Sequence, residues 1–134
     1  MAGLGIRLDA GDKLIVNGAA IHFVTAAQIR LANRARFLFG RQIMAPDEVT
    51  TPARRLYYAL QTAYVGTERE RAMALEEATF YAATFSAETT SDTARTMIAS
   101  AMDAARHGDG YRALTFARRI VRHEDAVFAH AASE

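Results

Sequence analysis

Apolar and polar residues alternate over Gly5–Asp9, with Ile6 and Leu8 on one face of a strand and Arg7 and Asp9 on the other. Ala10-Gly11-Asp12 then reads as a turn, and Lys13–Val16 as a short apolar run. Asn17-Gly18 separates that run from a second one, Ala19–Val24. Asn-Gly between two apolar runs is a hairpin signal, because both residues tolerate positive φ. Two further strands are expected at Gln28–Ala32 and Arg36–Phe39, on either side of Asn33-Arg34-Ala35. Short strands spaced by turns predict a small antiparallel sheet or partial barrel over residues 1–45.

Beyond residue 45 the period changes from two to 3.6. Pro46-Asp47-Glu48 reads as a first helical turn with acids at the positive end of the dipole. Thr51-Pro52 supplies an N-cap followed by proline at the first helical position. Ala53, Leu56, Tyr57, Leu60 and Tyr64 recur at helical spacing, and Gly66 ends the run. A second helix is expected over Thr67–Phe85, with a stripe through Leu75, Ala78, Ala82 and Phe85, and Ser86–Thr90 breaks it. Ser91 caps a third, carrying Ala94, Met97, Ile98, Ala101, Met102 and Ala105, which Gly108 stops. Asp109-Gly110 leads into a fourth, with Phe116, Ala117, Ile120, Val121, Val127 and Phe128 on one face. The expected architecture is α+β: a small antiparallel N-terminal β-sheet followed by a C-terminal bundle of three to four helices. Residues 1–134 form one domain in this reading, with a β-rich part at 1–45 and a helical part at 46–131. Arg106–Leu114 resembles the turn of a single tetratricopeptide-type helical hairpin with one extra glycine, read as a helix-packing device.

Half of the residues are apolar, enough to fill a core. The chain has no cysteine, so it offers no disulfide framework and no thiolate metal site. It contains no run of about 18 apolar residues, and no membrane span is expected. The N-terminus lacks a charged region followed by an apolar one, so the expected compartment is the cytoplasm. The net charge of +1 hides an asymmetry. Residues 1–55 carry eight basic and four acidic side chains, a balance of +4, while residues 56–134 carry eight and eleven, a balance of −3. Fifteen of the sixteen basic residues are arginine, which suits phosphate forks and base stacking better than lysine does.

Enzyme chemistry finds no foothold. His123 and His130 are seven apart, without the spacing of a metal pair, and His22 reads as a half-buried strand residue between Ile21 and Phe23. No GxSxG is present, and Glu76-Glu77 lies on an ordinary helical face. The expectation is a protein that is not an enzyme and has no cofactor and no metal. Arginine-rich binding remains. Arg30, Arg34, Arg36 and Arg41 crowd one span, with Phe37 and Phe39 interleaved and no acid between Lys13 and Asp47. These arginines could neutralise phosphates, with Arg54 and Arg55 as neighbours. If the strand phase persists through Asn33, then Arg30, Arg34 and Arg36 share a solvent face and Phe37 and Phe39 point to the core. A second basic strip, Arg112, Arg119 and Arg122, runs along the last helix.

Four segments together resemble the FlbT family of flagellar regulators: Gly11–Ile21, Asn33–Leu38, Thr51–Gln61, and Gly108-Asp109 with Tyr111–Leu114. They occur in order and cover nearly the whole chain. Gly110 is an insertion relative to the pattern, and the helices between 67 and 106 are unusually alanine-rich. The resemblance implies a post-transcriptional regulator of flagellin that acts on the 5′ untranslated region of flagellin mRNA, repressing translation and promoting decay, or activating in some members. It also implies work alongside a second small regulator, FlaF. The opening three-strand pattern resembles the RNA-binding regulator CsrA as well, which favours the sheet as the RNA-facing half. The alternative is a helical adaptor that binds flagellin or FlaF and affects RNA only indirectly. A homo-oligomer, most simply a two-fold dimer, is expected because a sheet of few, short strands is marginal alone.

Overall fold

The first strands are two halves of one long hairpin. A computed structural model describes residues 4–133, so residues 1–3 and 134 of the expected domain lie outside the described residues. Strand β1 (Leu4–Leu8) pairs antiparallel with β4 (Ala27–Leu31), and β2 (Lys13–Val16) pairs with β3 (Ala19–His22). Leu8 faces Ala27 and Lys13 faces His22, so four residues on each side separate the two ladders. Gly11 N–H to Phe23 O (2.7 Å) and Phe23 N–H to Asp12 O (2.9 Å) set two residues opposite one at the join, a bulge that separates the two ladders. At the hairpin tip Asn17 (φ +48°) and Gly18 (φ +89°) adopt the left-handed pair expected of Asn-Gly. A Cβ on Gly18 would stand 3.0 Å from Thr67, so the tip is held against the helices.

Strand β5 (Phe37–Phe39) adds to the other edge of β2, giving the order β3-β2-β5 beside the separate β1–β4 ribbon. Asn17 fixes its entry: its side-chain Oδ1 accepts the Arg36 N–H (2.9 Å) and its own N–H bonds Arg36 O (2.8 Å). Leu38 is the inward residue of β5, fully buried in the helical core with Ile15 beside it. Phe37 and Phe39 lie on the other face, half-buried, with rings 6.4 Å apart and nearly parallel. The expected phase is therefore reversed, because the chain turns between Leu31 and Phe37 and the strand restarts one residue out of step. Ile6, Leu8 and Leu14 are buried outside the helical core, on the apolar face of the long hairpin. His22, expected half-buried, is exposed with the rest of β3.

Four helices follow two short 3₁₀ turns, Gly40–Gln42 and Pro46–Glu48. Helix α1 (Pro52–Val65) starts on Thr51, whose Oγ1 accepts the Arg54 N–H, with Pro52 at the first turn. Helix α2 (Glu68–Glu88) starts with a capping box: Thr67 Oγ1 accepts from Glu70 N–H and Glu70 Oε1 accepts from Thr67 N–H. These hydrogen bonds from Thr67, backbone first, hold the Glu70 carboxyl below its ordinary range. Helix α2 buries only Ala74, Ala78 and Ala82, one per turn, while Leu75 and Phe85 are half-buried. Helix α3 (Asp92–Arg106) is capped by Ser91 and ends in a Schellman turn. There Gly108 sits at φ +81°, with Asp109 N–H on Ala104 O and Gly108 N–H on Ala105 O. Helix α4 (Gly110–Ser133) buries Ala113, Leu114, Ala117, Ile120 and Glu124, and every described residue after Glu124 is exposed. Val127 and Phe128 thus extend the apolar stripe of α4 beyond the bundle instead of joining the core.

The glycine that departs from the hairpin pattern has a packing reason. A Cβ on Gly110 would lie 2.6 Å from the Tyr64 ring and 3.1 Å from its Cβ. The Tyr64 Cβ cannot move without the α1 backbone that carries it. Gly110→Ala is expected to destabilise by about 1–3 kcal/mol, the range for an overpacked contact. Thermal denaturation checks this, and an unchanged midpoint would show that Tyr64 yields freely.

Candidate nucleic-acid interface

The arginines divide into those that the fold uses and those that it leaves in solvent. Arg36 belongs to the first group. Its Nε donates to Tyr64 O (3.0 Å), and Arg71 Nε donates to Ala63 O (3.0 Å). Both carbonyls belong to the last turn of α1, where acceptors are unsatisfied and the helix dipole is negative. Two guanidinium groups thus close one helix C-terminus. The solvent face expected for Arg36 is corrected by this turn toward the helices. Burial pushes the neighbouring Tyr64 phenol above its ordinary pKa.

Arg54 is also engaged. It meets Asp125 at 2.9 Å and Glu124 at 3.4 Å. The hydrogen bond to Asp125 raises its pKa above the ordinary value. Glu124, 6% exposed, also accepts the Ala53 N–H at 3.0 Å. One carboxylate of α4 therefore sits on the N-terminus of α1. The preceding residue does a similar service for α3, since His123 Nε2 and Ser91 Oγ are 3.0 Å apart.

The remaining expected residues are free. Arg30 lies exposed on β4, Arg34 in the bend that follows, Arg41 on the first 3₁₀ turn and Arg55 on the outer side of α1. Among the described residues none of the four side chains has a hydrogen-bond or ion-pair partner. Two cations that the sequence reading left out join them. Arg7 is exposed on β1 across from Gln28, diagonal to Arg30, which faces Gly5. Lys13 opens β2 and is exposed as well. Their signal was available, since Arg7 occupies the polar phase of the first alternating strand. Gly5, Arg7, Gln28 and Arg30 line a shallow depression on the polar face of the β1–β4 ribbon.

The loop that carries Arg41 is fixed by buried polar groups. Gln61 on α1 matches Met44 like a strand neighbour: its Oε1 accepts the Met44 N–H (2.8 Å) and its Nε2 donates to Met44 O (3.1 Å). Tyr57 OH donates to Gln42 O at 2.6 Å, and Arg118 donates to the same hydroxyl. Arg41 is thereby held beside a cleft of about 860 Å³ that Arg7, Lys13, Asp9, Asp12 and Glu48 also line. The Asp12 carboxylate is turned to the Asp9 N–H (2.8 Å). The second expected strip differs in character. Arg112 and Arg119 flank the Phe116 ring at 5.7 and 5.4 Å, so part of their charge is spent on a local cation–π contact.

Among the described residues no group of three or more His, Asp or Glu is placed to hold a metal ion. Among them, no helix is long and apolar enough to cross a membrane. Among the described residues the surface offers a set of cations without ion pairs, five of them on or beside the strands.

The family model FlbT, described as flagellar protein FlbT, matches residues 4–128. A protein of Chelativorans sp. (strain BNC1), named probable flagellum biosynthesis repressor protein FlbT, is 35% identical over 63 residues, 47% of this chain and 43% of that protein. Proteins of the same name from Brucella ovis and Brucella anthropi are 36% identical over 56 residues, 42% of this chain and 37% of theirs. The chain thus spans less than half the length of these curated relatives in the matched segments. No solved structure matches it.

Proposed function

This chain belongs to the FlbT family, and from that membership we propose that it regulates flagellin expression after transcription. In this reading it binds the 5′ untranslated region of flagellin mRNA and represses translation or promotes decay. The relatives' names, which call them probable repressors of flagellum biosynthesis, support the regulatory part. One observation carries the RNA part: Arg7, Lys13, Arg30, Arg34 and Arg41 are exposed on the β half with no ion-pair partner. No ion pair must be broken for these cations to meet phosphates. The test is titration of a flagellin leader RNA into the full chain at two salt concentrations, with an unrelated RNA of equal length as control. Tighter binding of the leader that weakens steeply with salt is expected. Equal affinity for both RNAs, or none for either, rejects sequence-specific regulation by this chain alone.

A second reading, a helical adaptor for flagellin or FlaF, draws on a different observation. Met73 and Phe80 stand exposed two turns apart on α2, and Val127 and Phe128 stand exposed on the overhang of α4. Under this reading Phe80→Ser with Phe128→Ser abolishes capture of flagellin or FlaF by the full chain and leaves its circular dichroism spectrum unchanged. Capture that persists in the double variant rejects it.

A further inference from the structure

The strand edges of this protein are not equally guarded. A free edge exposes unpaired N–H and C=O groups, and proteins blunt it with charge, proline, bulges or brevity. The β1–β4 ribbon carries Arg7 on one strand and Arg30 on the other. Strand β5 is three residues long and runs straight into a 3₁₀ turn. Strand β3 is short as well, at four residues, but carries no Asp, Glu, Lys, Arg or proline. Its sequence is Ala19-Ala20-Ile21-His22, all four residues are exposed, and it is an edge of its sheet. Ile21, with 42% of its surface in solvent, lies at its centre, and Val24, at 82%, follows it. Among the described residues no backbone hydrogen bond reaches its outer side.

The ladder defines what that edge presents. A two-residue turn makes Val16 and Ala19 a hydrogen-bonded pair, and alternation makes Leu14 and Ile21 the next. The Phe23 N–H to Asp12 O bond continues the same alternation. The backbone groups of Ala20 and His22 therefore point away from β2. We propose that β3 pairs with β3 of a second copy of this chain, antiparallel, about a two-fold axis through Ile21. Ala20 then faces His22 of the second copy in a hydrogen-bonded pair, and the symmetry repeats it, giving four backbone hydrogen bonds. Ile21 faces its own mate in the closer, non-hydrogen-bonded position, Cα atoms about 4.5 Å apart. The product is a continuous sheet of six strands in the order β5-β2-β3-β3-β2-β5, with the two unpaired β3 edges removed.

The uncharged edge is its own electrostatic complement, which favours a second copy as the occupant. Residues 14–29 contain no Asp, Glu, Lys or Arg, whereas the rest of the β half is positive. Two identical basic surfaces repel each other except where they are uncharged, and β3 is the centre of that uncharged stretch. The proposal does not rest on RNA binding.

The experiment uses the full chain. Light scattering at micromolar concentration is expected to give the mass of two chains for the wild type. Ala20→Pro removes an outward N–H, which the internal ladder does not use, and is expected to give the mass of one chain with an unchanged circular dichroism spectrum. Ile21→Lys places two like charges at the axis and is expected to do the same. Because the chain has no cysteine, Ile21→Cys reports the register directly. Its mate lies within disulfide reach, so mild oxidation is expected to yield a covalent dimer, while Thr25→Cys in the bend yields none. A wild type with the mass of one chain overturns the proposal, and so does a dimer that survives Ile21→Lys. Should Ala20→Pro fail to fold, Ile21→Lys and Ile21→Cys decide the matter.

Discussion

Glu124→Ala is expected to be among the most destabilising single changes in this chain, at about 2–3 kcal/mol. The carboxylate is 6% exposed and holds two groups of α1, the Ala53 N–H at 3.0 Å and the Arg54 guanidinium at 3.4 Å. Removing it leaves a buried N–H at a helix N-terminus without an acceptor and takes one anion from a partly buried cation. It also unfastens α4 from α1 some seventy residues earlier in the chain. Asp125→Ala is the matched control. Asp125 makes the shorter contact to Arg54, 2.9 Å, but its side chain is half in solvent, and exposed pairs contribute about 0–1 kcal/mol. Glu124→Gln keeps an acceptor and most of the volume, and is expected to fall between the two. Chemical denaturation of the three variants checks the order. If Glu124→Ala and Asp125→Ala lose the same stability, the buried carboxylate is not what ties α4 to α1.

The sequence makes most of this fold legible, because its signals are local. Asn17-Gly18, Thr51-Pro52, Ser91 and Gly108 each act within a few residues, and each stands where the turn or cap was expected. Polar groups with distant partners were not legible. Glu124 follows Ala113, Ala117 and Ile120 on the buried stripe of α4, and a carboxylate in that phase is the available sign of a buried partner. Which partner cannot be read, since Ala53 lies seventy-one residues away. Gln61 is the same case on α1, an amide on an apolar stripe whose partner, the Met44 backbone, sits in a loop without periodicity. The candidate interface shows the limit most clearly. The clustering of Arg30, Arg34, Arg36 and Arg41 was visible, but their orientation depended on the phase of β5. The turn after Leu31 shifted that phase by one residue. Leu38 went inward, Phe37 and Phe39 went outward, and Arg36 became a cap for α1. A single-residue slip exchanges the two faces of a strand.

That division among the arginines yields the second large expectation. The triple variant Arg30→Ala, Arg34→Ala, Arg41→Ala is expected to keep the fold and lose at least about a hundredfold in affinity for a flagellin leader RNA. The fold survives because none of the three side chains makes a hydrogen bond or ion pair, and exposed changes of this kind cost less than about 0.5 kcal/mol each. The affinity falls because each charge-assisted contact to a phosphate contributes about 1.5 kcal/mol or more. The salt dependence should flatten in step, by about 0.7–0.9 in the logarithmic slope for each phosphate no longer neutralised. Arg36→Ala supplies the contrast. It removes a donor from the Tyr64 carbonyl at the end of α1, so its expected effect is a loss of stability of about 1 kcal/mol. Its binding, measured well below the melting temperature, should change far less than that of the triple variant. The two effects are thus separable by measuring denaturation and binding on both proteins. A triple variant that folds normally and binds the leader with the wild-type affinity and salt slope removes the β half as the RNA site. The next surface to substitute is then the α4 strip, beginning with Arg122, which is exposed and takes no part in the contacts around Phe116.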